Sequence, residues 1–282
     1  MKNKFIDVLG SKLHYIEEGE GDPIVFIHGV PTSSYMWRNV VSGLSNQGRC
    51  IAVDLIGFGQ SDKPSIDYTI FDLINYFDAF MEAMKLSNVT LVMHAWGSVV
   101  GLDWAMRHSD KLKGIVLLEA HLRPAEQPDM VALPVQERSG VLHDKDGGKH
   151  AILEENIYIE KILPNGVMRQ LSDVEMDEYR KPFHSAESRK PIWQYLQDLP
   201  MGEPTKVVEL IAKYSDALQS SEIPKLLLYA MPGFNTSIET VMWARDNLPE
   251  LEIVEIDDAL HYAPESHPKE VAAAIENWCL TL

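Results

Sequence analysis

The chain has 282 residues, of which 42 are acidic and 25 are Lys or Arg, giving a net charge of −17. A surface this acidic repels phosphate backbones and anionic membranes, which excludes nucleic acid and membrane as expected partners. The length suits one large domain, or one domain with an insertion, that folds without disulfide or metal.

Along the chain, short apolar runs alternate with longer amphipathic segments, the pattern of parallel strands joined by helices. Pro23 to Gly29 (PIVFIHG) predicts a buried strand. Ser34 to Gly48 predicts a helix with serines as its N-cap signal. Cys50 to Leu55 is the next strand and ends at Gly57-Phe58-Gly59. Ile70 to Leu86 predicts a helix, Asn88 to Met93 a strand, Gly97 to His108 a helix and Leu112 to Leu118 a strand. From 121 to 220 the sequence is rich in proline and charge, with helical periodicity and no buried strand in view. The alternation then resumes with a strand at Lys225 to Ala230, a helix at Ser237 to Asn247, a strand at Leu251 to Ile256 and a helix at Glu270 to Leu280. The expected organisation is an α/β core from 1–120 and 221–282, interrupted by a helical cap at 121–220. Cys50 and Cys279 lack metal-ligand spacing and read as free thiols. No long apolar run follows Met1, and no stretch reaches the roughly 18 residues of a membrane span. A cytoplasmic monomer or homodimer is expected.

In a parallel sheet the site lies beyond the carboxyl ends of the strands. The residues there are His28-Gly29-Val30-Pro31, Gly57 to Ser61, His94-Ala95-Trp96-Gly97-Ser98, Glu119, Met231-Pro232-Gly233 and His261. The stretch from His94 to Ser98 fits a nucleophile elbow, small-x-nucleophile-x-small on a sharp strand-to-helix turn, except that its centre is Ala95. No metal cluster and no dinucleotide fingerprint appears, so no cofactor is implied.

These segments resemble the haloalkane dehalogenases. Their elbow reads H-D-W-G-S; here it is His94-Ala95-Trp96-Gly97-Ser98. HGVPTSSYMWRNV (His28 to Val40), DLIGFGQSDKP (Asp54 to Pro64), Glu119-Ala120, the segment from Asn156 to Glu160 with Leu163-Pro164, and His261-Tyr262-Ala263-Pro264-Glu265 also resemble family segments, in order. The resemblance implies an α/β-hydrolase fold: a mostly parallel eight-stranded sheet, flanking helices and an inserted cap. It implies His261 as catalytic base, Glu119 as the acid that orients it, and Trp96 as a donor to a leaving halide. Two positions depart from the pattern. The family places the attacking Asp where Ala95 stands, and a methyl group cannot form an alkyl-enzyme ester. The subset that uses Glu as its acid places a halide-binding Asn where Val30 stands. The backbone N–H groups of Val30 and Trp96 remain suited to an oxyanion.

Three readings follow. The first is an enzyme using His261 and Glu119 for non-covalent general-base chemistry: water activation, elimination or cyclisation. The second is a dehalogenase inactivated by an engineered change at 95. The third is a pseudoenzyme that binds a small ligand. A small hydrophobic substrate or ligand is expected, with Tyr158, Leu163, Phe183, Trp193, Tyr195 and Leu199 available to line its pocket. Asp103, about two helical turns beyond Ala95, is too far along to replace the missing carboxylate. His28 and His94 read as structural. The other histidines, His14 and His121 among them, read as surface or lid residues.

Overall fold

The computed structural model describes residues 1–282, the side chain of Val141 excepted. The strands are β1 (Lys2–Val8), β2 (Ser11–Glu18), β3 (Pro23–Ile27), β4 (Arg49–Val53), β5 (Val89–His94), β6 (Leu112–Leu118), β7 (Lys225–Pro232) and β8 (Leu251–Ala259). They form one eight-stranded sheet in the order β1-β2-β4-β3-β5-β6-β7-β8. β1 and β2 pair antiparallel, as do β2 and β4; every other neighbour is parallel. Every residue of β3 and β5 is buried, because helices cover both faces of a parallel sheet.

Six strands stand where the apolar runs predict them. β1 and β2 were not located by those runs. β1 alternates Lys2, Asn3, Lys4, Phe5 and Ile6 on a mostly exposed edge, so it lacks the continuous apolar signature. The first helix is shorter than expected, a 3₁₀ turn at Ser34–Trp37 leading into α1 (Arg38–Leu44). Ser33 caps it by accepting from the Tyr35 N–H. α2 (Ile70–Met84) starts from a Thr69–Asp72 capping box, and α3 (Trp96–Arg107) follows β5 directly.

Between β6 and β7 the described residues form helices and connecting turns: α4 (Leu133–Leu142), α5 (Gly147–Leu153), α6 (Leu163–Asn165), α7 (Asp173–Arg180), α8 (Lys190–Asp198) and α9 (Lys206–Gln219). α10 (Ile238–Asn247), α11 (Ala263–Ser266) and α12 (Pro268–Cys279) complete the core. A buried charge cluster ties the helical segment to the sheet side. Glu265, 2% exposed, accepts from Arg38, from Arg169 and from the Tyr179 hydroxyl, while Glu175 binds the same two arginines.

Candidate active site

The site is built where β3, β5, β6, β7 and β8 end. Between β5 and α3, Ala95 has φ 46° and ψ −119°, a left-handed turn that reverses strand into helix within one residue. Two glycines make room for it. A Cβ on Gly97 would lie 2.4 Å from the His28 carbonyl oxygen, and one on Gly29 would lie 2.9 Å from the Ala95 Cβ. Ser98 secures the turn from below: its hydroxyl donates to the Ala95 carbonyl at 2.6 Å and accepts from the His121 N–H at 2.9 Å.

Glu119 follows β6 and is fully buried. Its Oε2 accepts from the Phe234 N–H at 2.9 Å, the Asn235 N–H at 2.6 Å and His261 Nδ1 at 2.9 Å. Burial pushes its carboxyl up to about 7 against the pull of those backbone donors. His261 lies just past β8 and is 7% exposed; burial first, then the charge of Arg138, hold its imidazole neutral, pushing it down to about 3. Its Nε2 makes no hydrogen bond with the described residues, so one ring nitrogen is committed and the other is left open.

His94 supports His261 from behind. Its Nε2 donates to the His261 carbonyl at 2.8 Å and its ring stacks obliquely at 4.7 Å, while burial keeps it neutral. His28 donates through Nδ1 to the Gly29 carbonyl and accepts the Leu55 N–H at Nε2, so both its nitrogens serve the backbone. Trp96, 1% exposed, meets the Tyr195 ring edge-on at 5.1 Å, and Tyr195 in turn meets Tyr158 at 6.1 Å. Val30 is buried, and its carbonyl accepts the Tyr262 hydroxyl at 3.4 Å.

The structure thus brings Ala95, Trp96, Glu119, His261, Tyr158 and Tyr195 into one neighbourhood. Leu199 lines a cavity of about 50 Å³ with His121, Val135 and Asn235. Phe183 instead packs against Phe58 at 6.0 Å, Leu163 is buried at the start of α6, and Trp193 is half-buried against the core. Asp103 pairs with Arg107 two turns from the elbow. Among the described residues, no group of three or more His, Cys, Asp or Glu gathers as a metal site, and no helix is long and apolar enough to cross a membrane.

Two histidines read as surface or lid residues have other roles in the structure. His14 is 1% exposed and bound to Asp54 at 2.7 Å, because it sits on β2 facing inward. His121 borders the site: it meets Trp96 edge-on at 5.5 Å and accepts from Asn235 Nδ2 at 3.2 Å. Its position two residues after Glu119 was the available signal. Arg138, on α4, is the residue that sequence reading missed altogether. It lies 3.8 Å over the Phe234 ring.

A strand-to-helix elbow with an acid–histidine pair at later strand ends defines the α/β-hydrolase class, and the model of the alpha/beta hydrolase fold family matches residues 22–268. Within that class, the chain is 40% identical over 282 residues to a haloalkane dehalogenase of Sphingobium indicum, covering 97% of this chain and 94% of the relative. It is 37% identical over 281 residues to one of Mesorhizobium japonicum, covering 98% and 91%. The crystal structure of the haloalkane dehalogenase DbeA from Bradyrhizobium elkani superposes with a TM-score of 0.95 at 32% identity, covering 99% of this chain and 98% of that one. The chain belongs to the haloalkane dehalogenase family.

Proposed function

We propose that this site performs general-base chemistry on a small, largely apolar substrate, with His261 as the base, Glu119 as its orienting acid and no ester formed at position 95. The observation that carries the reading is the 2.9 Å hydrogen bond from His261 Nδ1 to Glu119 Oε2, beside an elbow whose side chain is a methyl group. With Nδ1–H held by Glu119, Nε2 keeps its lone pair for a proton taken from water or from the substrate. The imidazolium so formed is stabilised by the adjacent carboxylate. Negative charge developing on a substrate oxygen would be met by the backbone N–H groups of Val30 and Trp96, as the family pattern implies. Residues 121–220 serve as the cap, and Tyr158, Tyr195 and Trp96 offer apolar surface to the substrate.

The test has two arms. The first is halide release from 1-bromobutane and 1,2-dibromoethane, expected to be absent; turnover at about 1–10³ s⁻¹ overturns the reading. The second is a panel of small apolar esters, epoxides and cyanohydrins, followed with the intact chain and with His261→Ala. Activity abolished by His261→Ala supports the base. Activity indifferent to it, or none across the panel together with tight ligand binding, favours a binding role instead.

A further inference from the structure

On α4, Arg138 shares a helical face with the buried residues Val135, Ser139 and Leu142, at the spacing i, i+3, i+4, i+7. A guanidinium on that face turns into the protein rather than toward solvent. Its Cζ lies 3.8 Å from the centroid of the Phe234 ring and 5.7 Å from that of Tyr158. Its Nε is buried and has no hydrogen-bond partner among the described residues. Arg38, Arg49, Arg107, Arg169, Arg180 and Arg245 each hold a carboxylate. In a chain with 42 acidic residues, no described Asp or Glu forms a salt bridge with Arg138.

Burying a cation without its counter-charge is unfavourable, and the negative faces of two rings compensate only in part. The rings fix the guanidinium while leaving its in-plane N–H donors unused, and a guanidinium plane is shaped for two parallel bonds to a carboxylate. The position matters as much as the charge. The Phe234 ring lies 5.5 Å from the His261 ring, and the Phe234 backbone N–H donates to Glu119. Arg138 therefore stands against the same wall as the base.

We propose that Arg138 is the counter-charge for an anionic substrate group: the site between the cap and His261 takes a small apolar molecule bearing a carboxylate, gripped by the Arg138 guanidinium with its apolar body against Tyr158, Tyr195 and Trp96. The proposal rests on the general-base reading for what happens next, not for the binding itself. Arg138 opposes protonation of His261. A bound carboxylate cancels that charge, so the base strengthens when the correct ligand is seated.

Binding of phenylacetate and hexanoate, against phenylacetamide and 1-hexanol, tests this in the full-length chain by calorimetry or tryptophan fluorescence at low salt. Each carboxylate is expected to bind about 10- to 100-fold tighter than its neutral counterpart, the fold-change of one charge-assisted hydrogen bond. Arg138→Gln should abolish the preference, and Arg138→Lys should keep part of it. If Arg138→Gln does not fold, the wild-type comparison of acid with amide still decides. Equal affinities overturn the proposal. So does a preference that survives Arg138→Gln, or binding of bromide and chloride with no gain from an organic body. None of these readouts needs turnover, so failure of the general-base reading leaves them intact.

Discussion

Two buried histidine–carboxylate pairs lie in this molecule, and they differ in what surrounds the same hydrogen bond. His14 meets Asp54 at 2.7 Å and His261 meets Glu119 at 2.9 Å; in each the imidazole offers Nδ1, and each carboxylate also accepts backbone N–H groups. At the first pair, however, Nε2 of His14 is bound to Asn3 Oδ1 at 3.0 Å. Burial pushes the Asp54 carboxyl up, yet the hydrogen bond and charge of His14 carry it below the ordinary range. At the second pair, burial wins and Glu119 is pushed up to about 7, while Nε2 of His261 makes no bond with the described residues. The lesson is that a His–acid contact alone identifies nothing. A ring with both nitrogens satisfied is held as a brace, whereas a ring with one left open beside an elbow is free for the base role proposed above.

The sharpest way to exploit that difference is to place an attacking carboxylate at the elbow beside the open nitrogen. Ala95→Asp should restore weak dehalogenation, and Ala95→Asp with Val30→Asn should be faster by ~10²–10³, the scale of one anion-stabilising donor. The unmodified chain should stand ~10⁴–10⁶ below a working enzyme, by analogy with triad knockouts. Halide release read by ion-selective electrode checks all three. A folded but inert double variant would mean that the pocket has diverged beyond these two positions.

Stability should separate the pairs in the opposite sense. His14→Ala leaves a buried Asp54 short of its counter-charge and should cost about 3 kcal/mol in urea unfolding. His261→Ala leaves a Glu119 whose carboxyl burial already pushes up to about 7, so it can take up a proton, and should cost about 1–2 kcal/mol. Equal losses would erase the distinction between brace and base.

The pH dependence gives a finer cut. With His261→Ala, Glu119 stands alone with its folded value raised by burial from 4.5 to about 7. The folded chain then holds a proton that the unfolded chain has released, so this contribution is full below pH 4.5 and lost as pH rises through about 7. With Glu119→Gln, His261 is left with its value lowered from 6.5 to about 3 by burial and then Arg138. That contribution is full above pH 6.5 and lost as pH falls toward about 3. In the intact pair the two slopes oppose each other, so urea midpoints should be nearly flat between about pH 4.5 and 6.5. The two single variants should tilt in opposite directions; a common tilt would show that the pair does not share its proton in this way. The smallest effect belongs to Asp103→Asn. Its partner Arg107 is well exposed, so the loss should stay under about 0.5 kcal/mol, and dehalogenation by Ala95→Asp should be unaffected.

The parallel strands and the elbow were legible because burial on both faces writes an unbroken apolar run, and because a turn ending in Gly97-Ser98 tolerates few alternatives. β1 and β2 were not legible: β1 is an exposed edge strand that mixes Lys and Asn with its apolar residues, and β2, though largely buried between β1 and β4, carries Lys12, His14, Glu17 and Glu18 among its apolar residues, which breaks the continuous apolar run. Missing β2 is also why His14 was misplaced, since its burial follows from the strand's inward face. His121 was set among the lid residues although it follows Glu119 by two positions. Arg138 carried a signal that residue type alone conceals: Val135, Ser139 and Leu142 mark its helix face as interior, and a charged residue on such a stripe needs a reason.

The turn at Ala95 has a thermodynamic consequence of its own. A non-glycine residue at φ 46° and ψ −119° is held against its conformational preference at about 1–3 kcal/mol, a visible fraction of the roughly 5–15 kcal/mol by which domains remain folded. The surrounding sheet, Gly29, Gly97 and Ser98 maintain that conformation around a methyl group that performs no attack. What the tension delivers is direction: it turns the chain from β5 into α3 within one residue and starts the helix at Trp96, whose ring meets His121 and Tyr195. Position 95 is thus better understood as a spring than as a vacancy, and relaxing it would let the strand run on where the sequence now needs a sharp turn into α3.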